Sequence, residues 1–170
     1  YISERFLAGY RPPERQKNGK RAAIIGSGPA GITIALVLAL RGYEVTIFES
    51  RDRIGGVLRY GIPEFRLPKT ILDRYKQVLL SLGVHIRPNT SIGGALRIDD
   101  LFRDGYLSIF IGTGVWRANS LHIPGESLGN VHFAIDYLCN PSVYDPGQTV
   151  AVIGAGNAAM DAARTILRNG

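Results

Sequence analysis

The stretch Ala22-Ala23-Ile24-Ile25-Gly26-Ser27-Gly28-Pro29-Ala30-Gly31 opens on four apolar residues and then breaks into three glycines spaced two and three apart. Four apolar residues bounded by glycine predict a short buried strand. From Ile32 a run of small and apolar residues reaches Arg41 and stops at Gly42, which predicts a helix. Residues 45–48, Val-Thr-Ile-Phe, are β-branched and apolar and lead to Glu49, so a second strand is expected. Strand, glycine turn, helix and strand therefore follow one another directly.

Each glycine has a separate task in such a unit. Gly26 permits the tight turn, Gly28 lets backbone approach a diphosphate without a Cβ in the way, and Gly31 lets the helix pack closely on the strand. With Pro29 and Ala30 between the glycines, a diphosphate would rest on the positive end of the helix. Glu49, eighteen residues beyond Gly31, stands where a carboxylate accepts hydrogen bonds from both ribose hydroxyls, which argues against a ribose phosphate there. These residues leave FAD and NAD both open.

Working outward, Ile71, Leu72, Tyr75, Val78, Leu79 and Leu82 recur at helical spacing until Gly83 stops the pattern. Residues 84–86 and 107–111 read as further strands, with a short helix at 99–103 between them. Alternating strand and helix implies an α/β fold with a parallel sheet. Residues 148–153, Gly154 and the helical run 158–167 then repeat the opening strand-turn-helix pattern. The second turn is Gly154-Ala155-Gly156-Asn157-Ala158-Ala159, with Asp161 next on the helix. Its third glycine is replaced by Ala159, a variant common where NADPH binds. The expected organisation is a lead-in linker from an upstream domain (1–20), the first part of one dinucleotide-binding domain (21–147), and the truncated start of a second (148–170).

The chain has 170 residues, 45% of them apolar and 20% charged, with a formal net charge of +6. This is ordinary globular composition. Its basic stretch, 11–21, is accompanied by no aromatic-basic binding motif, so nucleic acid is not expected as a partner. The longest apolar run, 32–40, is too short to span a bilayer, and no membrane association is expected. Cys139 is the one cysteine, which excludes an internal disulfide and a Cys-x-x-Cys pair and suits a reducing, cytoplasmic setting. His85, His122 and His132 keep no fixed spacing to acids or to Cys139, so no metal site is expected. Ser27 lacks the flanking glycine that a hydrolase elbow requires, position 25 being Ile.

Past the acidic strand end comes Glu49-Ser50-Arg51-Asp52-Arg53-Ile54-Gly55-Gly56, followed by Val57-Leu58-Arg59-Tyr60-Gly61-Ile62-Pro63-Glu64-Phe65-Arg66-Leu67-Pro68-Lys69. Here the sequence resembles the small subunit of NADPH-dependent glutamate synthase, a family that includes the reductase half of dihydropyrimidine dehydrogenase. The likeness runs from about Phe6 to the last residue. It implies a Rossmann-like FAD-binding domain whose loop (Arg51, Gly55, Gly56, Val57, Leu58) lies along the flavin, with Arg66 offered to an anion or a reduced flavin. It also places the backbone near Ile92 at the adenine end. Gly112-Thr113-Gly114 is similar to the family's Ala-Thr-Gly motif that closes over the flavin, with Gly112 in place of Ala.

By the same resemblance Gly154, Gly156, Asn157, Ala158 and Asp161 belong to an NADPH domain. Electrons would pass from NADPH through FAD to iron-sulfur clusters outside this chain, and on to a large subunit or another electron-accepting protein. No side chain is then required as acid or base, since hydride and electron chemistry belong to the cofactors. A second expectation from a different class is a non-catalytic FAD- or nucleotide-binding assembly module.

Overall fold

The computed structural model describes Gly9 and residues 16–169. Most of the lead-in expected over 1–20 therefore lies outside the described residues. Two compact units emerge from the packing: one runs up to Val57 and resumes at Pro68–Gly114, and the other comprises Leu58–Leu67 and Val115–Gly170.

In the first unit β1 (Arg21–Ile25), α1 (Pro29–Leu40) and β2 (Glu44–Phe48) form the expected strand-helix-strand unit. Helix α2 (Val57–Tyr60) is a single turn at the unit's boundary. It is followed by α3 (Thr70–Ser81), β3 (His85–Arg87), α4 (Ile98–Arg103) and β4 (Ser108–Ile111). The four strands are all parallel in the order β3-β2-β1-β4, with Ile24 opposite Ile47 on one side and Phe110 on the other.

The two-residue alternation of a strand sends successive side chains to opposite faces. Ile24, Val45 and Ile47 meet Ile32, Ala35 and Ala39 of α1 and Val78 and Leu79 of α3 on one face. Ala23, Ile25 and Phe48 meet Leu101 and Tyr106 on the other. Both faces are covered, which is why β1 and β2 read as near-continuous apolar runs rather than alternating ones. Helix α1 begins earlier than its periodicity predicts, at Pro29, because the fixed φ of proline suits the first helical position and its missing N–H is not needed there.

In the second unit α5 (Ala134–Cys139) and a 3₁₀ turn (Pro141–Val143) precede α6 (Asn157–Asn169). Tyr137 and Leu138 of α5 pack on Ala162 of α6. The strand expected over 148–153 does not form. A strand exists through its hydrogen-bonded neighbour, and no described strand pairs with this segment. Its apolar residues accordingly remain at the surface, with Ile153 75% exposed. No helix among the described residues is long and apolar enough to cross a membrane.

Candidate functional site

The turn between β1 and α1 is shaped by what its glycines exclude. Gly26 has φ +94°, a left-handed conformation unfavourable for residues with a Cβ. Its N–H donates to the Phe48 carbonyl at 2.8 Å, and a Cβ on it would lie 2.3 Å from the Gly112 carbonyl oxygen. A Cβ on Gly31 would meet the Gly26 carbonyl oxygen at 2.0 Å and Ile24 Cγ2 at 3.3 Å. These two glycines thus bring β1, α1 and the end of β4 together. Gly28 differs: a Cβ there would meet no atom within 4 Å. Gly28 is the N-cap of α1, no side chain caps this end, and the first turn carries no acidic residue. The helix therefore presents its first N–H groups, and the positive end of its dipole, beside open backbone, which is the arrangement an anionic diphosphate requires.

Glu49, 5% exposed, is the carboxylate of this end of the sheet. Oε2 accepts from the Ser27 N–H at 2.9 Å and from the Ser27 hydroxyl. Oε1 accepts from the Arg51 N–H at 2.9 Å and the Ser50 hydroxyl at 3.2 Å. A carboxylate has about four acceptor positions, so the side chain is filled by its own loops. The Glu49 backbone is held as well, its N–H donating to Arg87 and its carbonyl accepting from Thr90. Glu49 is therefore a clamp between two loops, a role the sequence does not disclose. Two of its four donors are hydroxyls, which can rotate away and yield their places to ribose hydroxyls.

The paired glycines lie against this turn. Gly55 N–H donates to the Ser27 carbonyl at 2.9 Å, and a Cβ on Gly56 would come within 2.8 Å of Gly28 Cα. Gly112 N–H donates to Ile25 at 2.8 Å, which places Gly112, Thr113 and Gly114 beyond the end of β4. Gly26, Gly28, Gly31, Glu49, Gly55, Gly56 and Gly112 thus gather at the carboxyl ends of the strands, the side on which parallel α/β sheets take their ligands. Ile92 is partly buried against Ala23, Ile25 and Phe48 and bridges to Leu96, so it has a packing role.

In the second unit Gly154 has φ +125° and faces Ala159, whose Cβ would lie 3.4 Å from a Cβ on the glycine. Gly156 is open, with nothing within 4 Å of a Cβ, and α6 starts at the next residue. The two glycine turns therefore share one feature: a middle glycine with free space above it. Arg66 and Asp161 are brought together by an ion pair, Nη1 to Oδ2 at 2.6 Å, with the Asp161 side chain 5% exposed and that of Arg66 37%. The hydrogen bond and charge of Asp161 push the Arg66 pKa up, fixing its positive charge. Next to it, the ring of Phe65 lies under the guanidinium groups of Arg164 and Arg168, at 4.8 and 4.4 Å. Periodicity in the sequence gives no sign of this docking.

His122 belongs to a loop closed by Glu126, which accepts from the Ser120 hydroxyl and from the N–H groups of Leu121 (2.8 Å) and His122 (3.1 Å). These bonds hold the Glu126 carboxyl below its ordinary range, with the Ser120 hydroxyl the largest cause. His132 packs edge-on against Tyr144. Among the described residues no three His, Cys, Asp or Glu side chains are grouped to hold a metal. A cleft of about 820 Å³ is lined by Trp116, Arg117, Asn119, His122, Phe133 and Asp136, and no residue of either glycine turn lines it.

The family of NAD(P)-binding Rossmann-like domains matches residues 24–97, the span from β1 to the loop before α4. The parallel sheet with its glycine turn is a Rossmann-like fold. Among the curated proteins, the glutamate synthase [NADPH] small chain of Azospirillum brasilense is 37% identical over 175 residues, covering 94% of this chain and 36% of the relative. The likeness to that small chain thus runs over almost the whole of this chain. The counterpart from Escherichia coli is 33% identical, covering 100% of this chain and 39% of its own length. The β subunit of the NADP(+)-dependent formate dehydrogenase of Moorella thermoacetica is 43% identical over 159 residues, 90% of this chain and 22% of the relative. Among solved structures, FprA from Mycobacterium tuberculosis in complex with NADPH superposes with a TM-score of 0.75 at 25% identity, covering 90% of this chain and 37% of that one. The chain spans between about a fifth and two fifths of the length of these proteins.

Proposed function

We propose that this chain belongs to a flavoprotein oxidoreductase in which NADPH reduces FAD and electrons leave through iron-sulfur clusters outside these residues, as in a glutamate synthase small subunit. In this reading 1–20 is a linker, 21–147 is the first part of the FAD domain, and 148–170 begins the NADPH domain. The observation that carries it is the β1–α1 turn: an uncapped helix end, space above Gly28, and Glu49 beside it with exchangeable hydroxyl donors. Those residues fit a dinucleotide.

Gly26, Gly28, Pro29, Ala30 and Gly31 would hold the diphosphate of FAD, and Glu49 and Arg51 its ribose end. Gly55, Gly56, Val57 and Leu58 would line the flavin with backbone, Ile92 the adenine, and Gly112, Thr113 and Gly114 the ring's other side. Arg66 would supply a positive charge to the flavin. Gly154, Gly156, Asn157, Ala158 and Asp161 would form the start of the NADPH site. The cofactors supply hydride and electron transfer, and this chain's residues bind, orient and shield them. A cytoplasmic location and a large-subunit or other electron-accepting partner complete the proposal.

The test is a visible spectrum of the full-length protein, recorded anaerobically before and after NADPH. The proposal expects a flavin spectrum that bleaches. Protein without flavin that ignores added FAD, or a flavin that NADPH leaves oxidised, overturns it.

A further inference from the structure

Residues 116–136 enclose a hollow that neither glycine turn uses. This cleft of about 820 Å³ is lined entirely from the second unit, and its volume falls within the range of small-molecule sites, about 300–1,000 Å³. Half-buried Trp116 and the ring of Phe133, 40% exposed, give it aromatic surface. Arg117, Asn119 and Asp136 add a cation, an amide and a carboxylate. Among the described residues the side chains of these three have no hydrogen bond or ion pair. A ligand there displaces water from them and breaks no contact within the protein.

His122 also lines the cleft, with φ +56°, a left-handed conformation that a residue carrying a Cβ adopts only at a cost. The loop imposes it. The His122 N–H is shared between Ser120 Oγ and Glu126 Oε2, both at 3.1 Å, and the Leu121 N–H donates to Glu126 Oε1 at 2.8 Å. On the ring, Nδ1 lies 3.4 Å from Ser120 Oγ, while Nε2 has no hydrogen-bond partner among the described residues. Glycine takes such a backbone freely, but it would bring no imidazole to the cleft.

We propose that this cleft binds a small planar ring bearing both an anionic group and a hydrogen-bond donor, the chemistry shared by an aminobenzoate and an adenine mononucleotide. Trp116 and Phe133 offer aromatic faces to the ring. The guanidinium of Arg117 presents paired donors to a carboxylate or phosphate, and the Asn119 amide adds further donors. Asp136 sets the second requirement: a ligand that is only anionic is repelled by it, whereas an amino group on the ring is accepted. Nε2 of His122 supplies one more polar contact, and the strained loop holds it ready before the ligand arrives.

The experiment is a calorimetric titration of the full-length protein, with FAD and NADP(+) in excess to fill the sites proposed above. The probes are 4-aminobenzoate and, separately, adenosine 5′-monophosphate. At least one should bind with a dissociation constant of about 1 mM or tighter, and the one that does names the source of the ring. Arg117→Gln should weaken that binding about tenfold, the loss of a charge-assisted pair. Replacing the probe by its uncharged counterpart, 4-aminobenzamide or adenosine, should weaken it similarly. His122→Gly separates binding from folding: the melting temperature should hold or rise as the left-handed strain is relieved, while affinity falls.

Neither probe binding overturns the proposal. So does binding that Arg117→Gln leaves unchanged, and so does binding seen only when NADP(+) is omitted, which returns the ring to a nucleotide site. A lower melting temperature with unchanged affinity in His122→Gly makes the strained residue part of the scaffold, and overturns the assignment as well.

Discussion

A methyl group on Gly31 would stand 2.0 Å from the carbonyl oxygen of Gly26. No side-chain rotation relieves that contact, because both partners belong to main chain that the turn and the helix hold in place. Alanine is the better helix former by about 1 kcal/mol, so in an open helix Gly31→Ala would stabilise. Overpacking of about 1–3 kcal/mol opposes it here, and a 2.0 Å approach falls at the severe end. Gly31→Ala is expected to lower stability by about 1–2 kcal/mol, read from the urea midpoint. An unchanged or raised midpoint refutes the close packing of α1 on β1.

Gly28→Ala should behave in the opposite way. Its φ of −67° suits any residue, and a Cβ would touch nothing within 4 Å. The flavin-free protein should unfold within about 0.5 kcal/mol of wild type, while FAD binding weakens because the methyl group occupies the approach path of the diphosphate. Equal FAD affinity in the two proteins would place the diphosphate elsewhere.

Glu49→Ala removes the acceptor for the buried Ser27 N–H and the half-buried Arg51 N–H. An unsatisfied buried donor costs about 1–3 kcal/mol, so the apo protein should melt at a lower temperature even before FAD is added. A loss of FAD affinity with an unaltered apo melting temperature would show that the carboxylate serves the ribose alone and clamps nothing.

The Glu126 loop should respond to acid. The folded protein holds this carboxyl below its ordinary range, so the native state favours the ionised form. The loop's stabilisation is complete above the ordinary carboxylate range and is lost as pH falls through the depressed value. The amide resonances of Leu121 and His122 should shift together over that acid interval, and Glu126→Gln should abolish the transition. Shifts that persist in Glu126→Gln would assign the change to another group.

The sequence by itself determined the features that depend on near neighbours. Gly26, Gly28 and Gly31 between an apolar run and a helix specify the turn, since its geometry is set within six residues, and the period of 71–82 specifies α3. The same local logic located Glu49 and the second turn at Gly154 and Gly156. Tertiary structure decided what those residues face. Whether 148–153 becomes a strand depends on a partner strand, and its own β-branched residues could not settle that. The filling of the Glu49 carboxylate by Ser27, Ser50 and Arg51 depends on two loops meeting. The pairing of Arg66 with Asp161 depends on where a turn pinned at Pro63 comes to rest on α6. Local sequence encodes dihedral preference and apolar period, whereas the partner of a buried charge is chosen only when distant segments pack and water is excluded between them.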